Sequence, residues 1–411
     1  TIRPLGDEEG DGSSVPTGAD APLCAFVFRV ASDPFVGKLT YLRIFAGKLP
    51  ANGSFLNPNS GKQEKAGKFV RLQGKEQEPV DEAVAGDIIS LVKVEGLQAF
   101  DTVTSDSPMK IAAPKLPTPM YSRAVTPKSK ADEKKFAEAI TKVVDEDVMI
   151  SSTRDSRTHE MVVAGVSQLH LLVLWDRLKA RYGVEVATQE PKTPYLETIA
   201  AKGEAMHRHK KQSGGSGEFA EVHLRVEPRE RGSGLEFVSS VFGGAISASY
   251  VQSVEKGIRA MIEEGVIAGY PVVDVKVDVY DGKEHPVDSK DIAFQKAGRE
   301  AFKKAVSEAR PVLLEPVVDL EVTFPGDTMG EIQGDLNRRR GRVVGMEAAG
   351  PFQALKAKVP LAEVPDYATQ LGSMTGGQGT YTIEMSHYEE VPANVQQKVC
   401  ESAKTDKQAE D

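Results

Sequence analysis

The chain has 411 residues, of which 40% are hydrophobic and 27% are charged, and its formal net charge is −9 at pH 7. This length and composition predict a globular protein of three or four domains and exclude a wholly disordered chain. Because RNA binding needs Lys and Arg beside the phosphates, the net charge excludes binding over the whole surface and leaves only basic patches. Cys24 and Cys400 lack metal-ligand spacing and favour a reducing, cytoplasmic setting. The sequence has no apolar run near the roughly 18 residues that a membrane span needs.

A small β-barrel is predicted at 23–112, after an acidic, glycine-rich stretch (1–22) that we interpret as a linker remnant. Turn-forming residues separate the short apolar or alternating runs on which this prediction rests, at 23–30, 38–45, 69–72 and 88–94. Prolines between Ser107 and Pro119 exclude regular structure there and predict an interdomain linker. We expect the barrel to move as a unit about this linker.

A ferredoxin-like domain is predicted at 119–191 from the element order βαββαβ. Its first helix starts after Ser129, which forms a capping-box pattern with Asp132. Its second helix can end at Gly183. Its apolar face carries Trp175 together with other large side chains, namely Leu169, Leu172, Val173 and Leu178. The same order returns at 313–390, and the polar segment 391–411 is predicted to be a C-terminal tail with a frayed end.

Between these two domains, an α+β tip domain is predicted at 195–312. Alternation of valines with polar residues from Val272 predicts a strand that stops at the turn-forming pair Asp281-Gly282. A polar loop with His285 follows, and Asp288 or Ser289 is expected to cap the next helix. A second polar loop is predicted at 207–217, between strand-like runs at 196–205 and 219–226, and a helix between the two loops ends at Gly265. The fold class is therefore multidomain α+β, and the two loops can project together from one end of the tip domain.

Two basic segments are candidate RNA-binding sites. In the 207–217 loop, glycines permit close approach of the backbone to ribose and phosphate beside the residues Lys210, Lys211, Gln212, Ser213, Gly214 and Gly215. A solvated hairpin end explains the same residues equally well. The other segment is the densest basic cluster of the chain, Arg338, Arg339, Arg340 and Arg342. Cations in the last turn of a helix, with Gly341 in the left-handed conformation, explain that cluster as ordinary helix termination.

The sequence lacks the common catalytic motifs. It contains no G-x-x-x-x-G-K-[ST] phosphate loop, no H-E-x-x-H zinc motif and no serine nucleophile elbow. We therefore expect no catalytic residue, no metal and no cofactor in this chain, and no nucleotide hydrolysis by the chain alone. Binding and mechanical work remain as its expected functions.

Seven segments of the chain match the motifs of a known family. They are 31–40 (ASDPFVGKLT), 165–171 (GVSQLHL), 227–237 (EPRERGSGLEF), 287–294 (VDSKDIAF), 334–346 (GDLNRRRGRVVGM), 360–363 (PLAE) and 387–392 (HYEEVP). In sequence and in order they resemble translation elongation factor G, the ribosomal translocase. By this resemblance, the four predicted domains correspond to the family's domains II to V. The family's GTPase domain, which holds GTP and Mg²⁺, would precede Thr1, so that the chain is a fragment of a longer GTPase.

The resemblance also implies partners. The chain would bind the ribosome as a monomer and without a membrane, contacting the RNA of both subunits and the messenger and transfer RNA at the decoding site. His285 would be the tip histidine that reaches the decoding centre, although a loop histidine considered alone is more often a solvated residue. The arginine cluster would face the RNA of the large subunit.

Two departures from the family pattern resemble its divergent second-copy branch. Residues 212–219 read QSGGSGEF where translocases have Q-T-G-G-R-G-Q-Y, and residues 375–379 read TGGQG where they have T-Q-G-R-G. Each change removes an arginine that can contact phosphate. Three functions therefore stay open. They are GTP-dependent translocation of messenger and transfer RNA, a ribosome rescue, recycling or antibiotic-protection role with the same domain architecture, and a stand-alone RNA-binding module.

Overall fold

The computed structural model describes residues 17–33, 35–74, 76–211 and 217–410, with only the backbone for 404–410. It divides into two compact units, Thr1–Pro191 and Lys192–Asp411. The fold is multidomain α+β, which confirms the predicted class. Of the helices within the described ranges, none is long and apolar enough to cross a membrane.

The first unit begins with an all-β domain. Its strands are β1 Cys24–Asp33, β2 Gly37–Ala46, β3 Lys48–Pro50, β4 Ser54–Asn57, β5 Lys62–Lys65, β6 Phe69–Gln73, β7 Glu76–Val80, β8 Glu82–Val84, β9 Ile88–Val92 and β10 Thr102–Thr104. Eight strands form one sheet in the order β5-β4-β10-β1-β2-β9-β6-β7, and β3 pairs with β8. Alternating side chains from the long strands, including Leu42, Ile44 and Phe69, are fully buried against one another and form the core of this domain.

The second domain of this unit is the predicted ferredoxin-like fold. It contains β11 Tyr121–Pro127, α1 Glu133–Glu146, β12 Ser151–Arg154, β13 Met161–Gly165, α2 Gln168–Tyr182 and β14 Val186–Gln189, with the sheet order β12-β13-β11-β14. A 3-10 turn separates Ser129 from α1, and the carbonyl of Ser129 accepts the N–H of Asp132 at 3.0 Å. The predicted capping box is therefore wrong. Gly183 ends α2 in the left-handed conformation, as predicted.

The predicted apolar face of α2 is only partly its packed face. Leu171, Leu174 and Leu178 are the buried side chains of this helix. Leu169 and Leu172, which the apolar pattern placed with Leu178, are 69% and 51% exposed. Because this helix is apolar around most of its circumference, periodicity alone did not identify the face that packs on the sheet.

Hydrogen bonds join the all-β domain to the ferredoxin-like domain. The carboxylate of Glu146 in α1 accepts the Ser32 N–H at 2.7 Å and Nη1 of Arg181 at 2.9 Å. Arg181 also donates to the carbonyl of Ser32. Both domains belong to one compact unit, and these bonds would have to break for the barrel to move alone about the 107–119 linker, which stays a prediction.

The second unit begins with the tip domain, a four-stranded sheet covered on one face by two helices. Its elements are β16 Gly203–Lys211, β17 Glu218–Pro228, β18 Leu235–Ser239, α3 Ala248–Glu264, β19 Val275–Lys283 and α4 Asp291–Glu308. The sheet order is β16-β17-β19-β18, and only the β18–β19 pairing is parallel. Val222, Val277 and Phe294 are fully buried between the sheet and the helices. Gly265 ends α3, as predicted.

The last domain of this unit has the predicted ferredoxin-like order with one strand added to its sheet. It contains β15 Leu196–Ile199, β20 Pro311–Pro325, α5 Met329–Arg338, β21 Arg342–Ala349, β22 Phe352–Pro360, α6 Tyr367–Thr375, β23 Thr380–Glu390 and α7 Ala393–Glu410. The sheet order is β15-β20-β22-β21, and β23 also pairs with β20. Because β15 pairs with β20, the predicted continuous run 196–205 is wrong: it is two strands in two sheets. The predicted C-terminal tail contains the helix α7, which packs Val395 and Val399 beside Leu313, and the frayed end beyond Ser402 stays a prediction.

One fully buried carboxylate fastens β15 to the segment that follows α3. Glu197 is 0% exposed. Its two oxygens accept the backbone N–H groups of five consecutive residues at 2.6 to 3.2 Å, namely Val266, Ile267, Ala268, Gly269 and Tyr270. A buried charge is tolerated where it is hydrogen-bonded in this way. Glu197 therefore holds the connection between the two sheets of this unit.

Candidate nucleic-acid interface

Three loops of the tip domain lie at one end of its sheet. β16 and β19 are each antiparallel to β17, and β18 is parallel to β19. The carboxyl ends of β16, β18 and β19 therefore lie at the same edge. We call the loops that follow these strands, 212–217, 240–247 and 284–290, the tip loops.

The first tip loop is shorter than predicted. The β16–β17 ladder extends to the pair Lys211 and Glu218, so residues 207–211 belong to a strand, and their assignment to a loop is wrong. Lys210 and Lys211 are exposed at the end of this strand. The other predicted contact residues of this loop, Gln212, Ser213, Gly214 and Gly215, lie outside the described residues.

β19 also extends further than predicted. The strand continues through Asp281 and Gly282 to Lys283, so the predicted stop is wrong. Its register shifts by one residue beside His223, which leaves Tyr280 as the extra residue of a β-bulge. The glycine has a packing reason, because a Cβ atom at Gly282 would lie 2.2 Å from Cδ1 of Ile246.

Hydrogen bonds join the first tip loop to the third, as expected of two loops from one end. The N–H of Phe219 donates to the Asp288 carbonyl at 2.9 Å, and the N–H of Gly217 donates to the Asp288 carboxylate at 3.2 Å. The hydroxyl of Ser289 donates to the Phe219 carbonyl at 3.0 Å and accepts the His285 N–H at 2.8 Å. Asp288 and Ser289 therefore bind the loops to each other. Their predicted role as caps of α4 is wrong, since the N-cap is Lys290.

His285 is held by its own loop. Its Nδ1 accepts the N–H groups of Val287 and Asp288 at 3.3 and 3.2 Å, and its ring lies 6.0 Å from the ring of Phe219. These two contacts favour the tautomer that carries its proton on Nε2, and the Asp288 carboxylate lies 3.5 Å from Nδ1. The side chain is 50% exposed. His285 can therefore offer Nε2–H as a hydrogen-bond donor from a fixed position.

Glu218 anchors the base of the first tip loop. Its Oε2 accepts Nζ of Lys296 in α4 at 2.9 Å and contacts Nε2 of His209 at 2.8 Å. The hydrogen bonds from Lys296 and then from His209 lower the pKa of Glu218 from 4.5 to about 2. The carboxylate thus stays charged across the physiological range and draws two cationic or polar side chains toward the hairpin.

This ion pair gives a pH-dependent stability. Because the folded-state pKa of Glu218 is lowered from 4.5 to about 2, its stabilising effect is complete above pH 4.5 and is lost as the pH falls toward 2. We expect Glu218→Gln to be less stable than the parent chain near neutral pH, with a difference that closes in that acid window. Urea denaturation at a series of pH values measures it. The exposed Glu230→Gln is the control, and a difference independent of pH would contradict this assignment.

The arginine cluster is mostly engaged within the last domain. Arg339 is bound to Asp335 and Asp366, at 2.7 Å each, and lies over the ring of Tyr367. In contrast, the side chain of Arg338 is 77% exposed, with Asp335 at 3.5 Å. Of the four predicted arginines, Arg338 is thus the one that extends furthest into solvent.

The other two arginines also have acidic partners. Arg340 forms two hydrogen bonds with the buried Glu315, at 2.6 and 2.8 Å, and Arg342 is paired with Glu389. The left-handed residue after α5 is Arg340, with φ 59°, so the prediction for Gly341 is wrong. The N–H of Gly341 closes a Schellman motif on the Leu336 carbonyl at 2.8 Å. The ordinary helix-end interpretation of the cluster therefore accounts for most of its geometry.

The tip loop 240–247 was not predicted from the sequence. Its Phe242 is 92% exposed, and Val287 in the neighbouring loop is 76% exposed. The available signal was the run Phe242-Gly243-Gly244 between a strand and a helix, where a large apolar residue stands beside two glycines. Within the described ranges, no group of three or more His, Cys, Asp or Glu side chains is placed to hold a metal ion. The tip loops are therefore the candidate interface.

Comparisons with known proteins match nearly the whole chain. Four family models fit consecutive segments: elongation factor G domain 2 at 22–106, domain III at 116–190, domain IV at 191–310 and the C-terminus at 312–399.

A relative named elongation factor G-like protein, from Thermotoga maritima, is 40% identical over 406 residues, which are 98% of this chain and 59% of the relative. A crystal structure of a Thermus thermophilus protein matches 94% of this chain and 58% of its own, with a TM-score of 0.77 and 39% identity. The chain therefore spans under two thirds of both. The order of the four matched segments and these identities establish that the chain belongs to the elongation factor G family.

Proposed function

We propose that this chain is the ribosome-binding part of a translation factor of the elongation factor G type. The observation that supports the proposal most is the tip itself. Hydrogen bonds hold its loops together, fix His285 with Nε2–H available, and leave Lys210 and Lys211 exposed beside it. A fixed donor with adjacent cations suits the phosphates and base edges of RNA.

The finer proposal is that the tip enters the decoding site and promotes GTP-dependent translocation of messenger and transfer RNA. Arg338, the exposed arginine after α5, is then the candidate for contact with RNA of the large subunit. Since this sequence has no phosphate loop, GTP and Mg²⁺ would be held by residues outside it. Within this proposal the chain positions RNA, and hydrolysis belongs to a separate GTPase domain.

One observation favours the second candidate, a rescue, recycling or antibiotic-protection factor. Glu218 stands where translocases have glutamine, and its carboxylate engages both Lys296 and His209. Two side chains that could approach RNA are thereby directed toward the protein. A tip with fewer cations available for contact with phosphate is better suited to displacing a ligand than to binding messenger RNA tightly.

Co-sedimentation with ribosomes at several salt concentrations tests the proposal. We expect binding that weakens as the salt concentration rises, and weaker binding still for Lys210→Glu and Lys211→Glu. Each exposed lysine near a phosphate adds about one unit to the slope of log affinity against log salt concentration. Lys303→Glu is the matched control, since Lys303 is exposed in α4 about 18 Å along the helix from its start at the tip. Equal binding to ribosomes and to unstructured RNA would favour a stand-alone RNA-binding module instead.

A further inference from the structure

The 240–247 tip loop is attached to the 284–290 loop at its base. The N–H of Ser247 donates to the Glu284 carboxylate at 3.1 Å. Ile246 is 4% exposed and packs against Gly282, where a side chain would not fit. The base of the loop is therefore held in place, with Val241 packed against the core of the domain, while residues 242–244 are exposed.

Phe242 is the large side chain of this loop that is most exposed. It is 92% exposed, and the two residues that follow it, Gly243 and Gly244, have φ values of 67° and 72°. Two successive residues in the left-handed region need glycine, so the turn that presents the ring depends on both. An aromatic ring displayed in this way, with the exposed Val287 in the neighbouring loop, is typical of a contact surface.

Exposed lysines at this end of the domain can contact an anionic partner. They lie at the ends of strands and are Lys210, Lys211 and Lys283. Lys296 offsets the charge of Glu218, whereas Asp281 and Glu284 are exposed carboxylates at the same end. The three lysines are therefore the groups at the tip that can meet an anionic backbone.

We propose that Phe242 is an RNA contact and stacks on an unpaired base, while the lysines at the ends of the neighbouring strands contact the backbone. The inference deepens the proposed function and rests on it. Stacking on an aromatic ring, combined with cations along the phosphates, is how proteins bind single-stranded RNA without reading its sequence. A protein partner would need a larger apolar surface than one ring and one valine, and would not account for the lysines.

Binding of a single-stranded RNA oligomer that contains 2-aminopurine tests the proposal, because stacking quenches this base. With the whole chain, we expect quenching on binding, and about fivefold to hundredfold weaker binding for Phe242→Ala. Phe242→Trp should retain binding and Phe242→Leu should not, since leucine is apolar without a ring. An abasic oligomer of equal length should bind Phe242→Ala and the parent chain alike, with the same salt dependence.

Three results would overturn the inference. Equal binding of the base-containing oligomer by Phe242→Ala and the parent chain, with the lysine variants still weakened, would remove Phe242 from the RNA contact and leave the proposed function standing. Full binding and quenching by Phe242→Leu would show an apolar contact without stacking. A parent chain that binds neither this oligomer nor ribosomes would overturn the inference and the proposed function together.

Discussion

Glu197→Gln is expected to lower the free energy of unfolding of the Lys192–Asp411 unit by about 3 kcal/mol. This is the largest loss of stability that we expect from a single substitution in this chain. The carboxylate accepts five backbone N–H groups with two oxygens and is fully buried. Glutamine has the same shape as glutamate but only one oxygen that accepts hydrogen bonds. Its side-chain NH2 group would face the backbone N–H groups that the second carboxylate oxygen of Glu197 accepts. The donors near that amide would be left buried and without an acceptor, which costs about 1 to 3 kcal/mol each.

Chemical denaturation and hydrogen exchange of the 266–270 amides measure this effect. The single tryptophan, Trp175, lies in the other unit, so its fluorescence is an internal control for the transition of that unit. Glu227→Gln is the matched substitution. Its exposed partner Lys202 lies 2.8 Å away, and we expect a loss within about 0.5 kcal/mol. Equal losses for the two variants would show that the backbone hydrogen bonds of Glu197 contribute little.

The sequence predicted local order well because that order follows from periodicity. Both βαββαβ domains, the α3 helix and the glycines that end α2 and α3 are set by patterns within a few residues. The errors occur where a distant segment decides the outcome. Asp281-Gly282 has turn-forming residues, but pairing with β17 keeps it in the strand. The run 196–205 has continuous strand character, but its two halves pair in different sheets.

The candidate site also divides into features set by neighbouring residues and features set by distant ones. The exposure of Lys211 and the loop position of His285 could be predicted, because both depend on residues close by in the sequence. The engagement of Arg340 could not, since Glu315 precedes it by 25 residues and lies in β20, whereas Arg340 follows α5. Phe242 was missed because an isolated phenylalanine in a sequence is most often a core residue. Its exposure depends on the turn that the two following glycines make.

The second large effect is expected at the tip, under the proposed function. His285→Ala combined with Lys211→Ala, in a protein where a GTPase domain of the family precedes this chain, should slow messenger movement tenfold or more, equivalent to about 1.4 kcal/mol of barrier. Both side chains are exposed, so we expect the melting temperature to change little. GTP hydrolysis should also be nearly unchanged, because neither residue belongs to that domain. Single-round translocation with a fluorescent messenger RNA, run beside phosphate release, measures both steps.

Two single variants separate the donor of His285 from its support of the loop. In His285→Asn, the amide oxygen can replace Nδ1 as acceptor for the N–H groups of Val287 and Asp288, but the Nε2–H donor is lost. In His285→Gln, the longer side chain carries a donor near the position of Nε2. If the donor contacts RNA, Asn should slow the messenger as much as Ala does, and Gln should retain most of the rate. If Asn is fast and Gln slow, the histidine acts by shaping the loop that binds Phe219. A parent that hydrolyses GTP on ribosomes but moves no messenger would favour the rescue, recycling or protection role, in which the carboxylate of Glu218 replaces a phosphate contact.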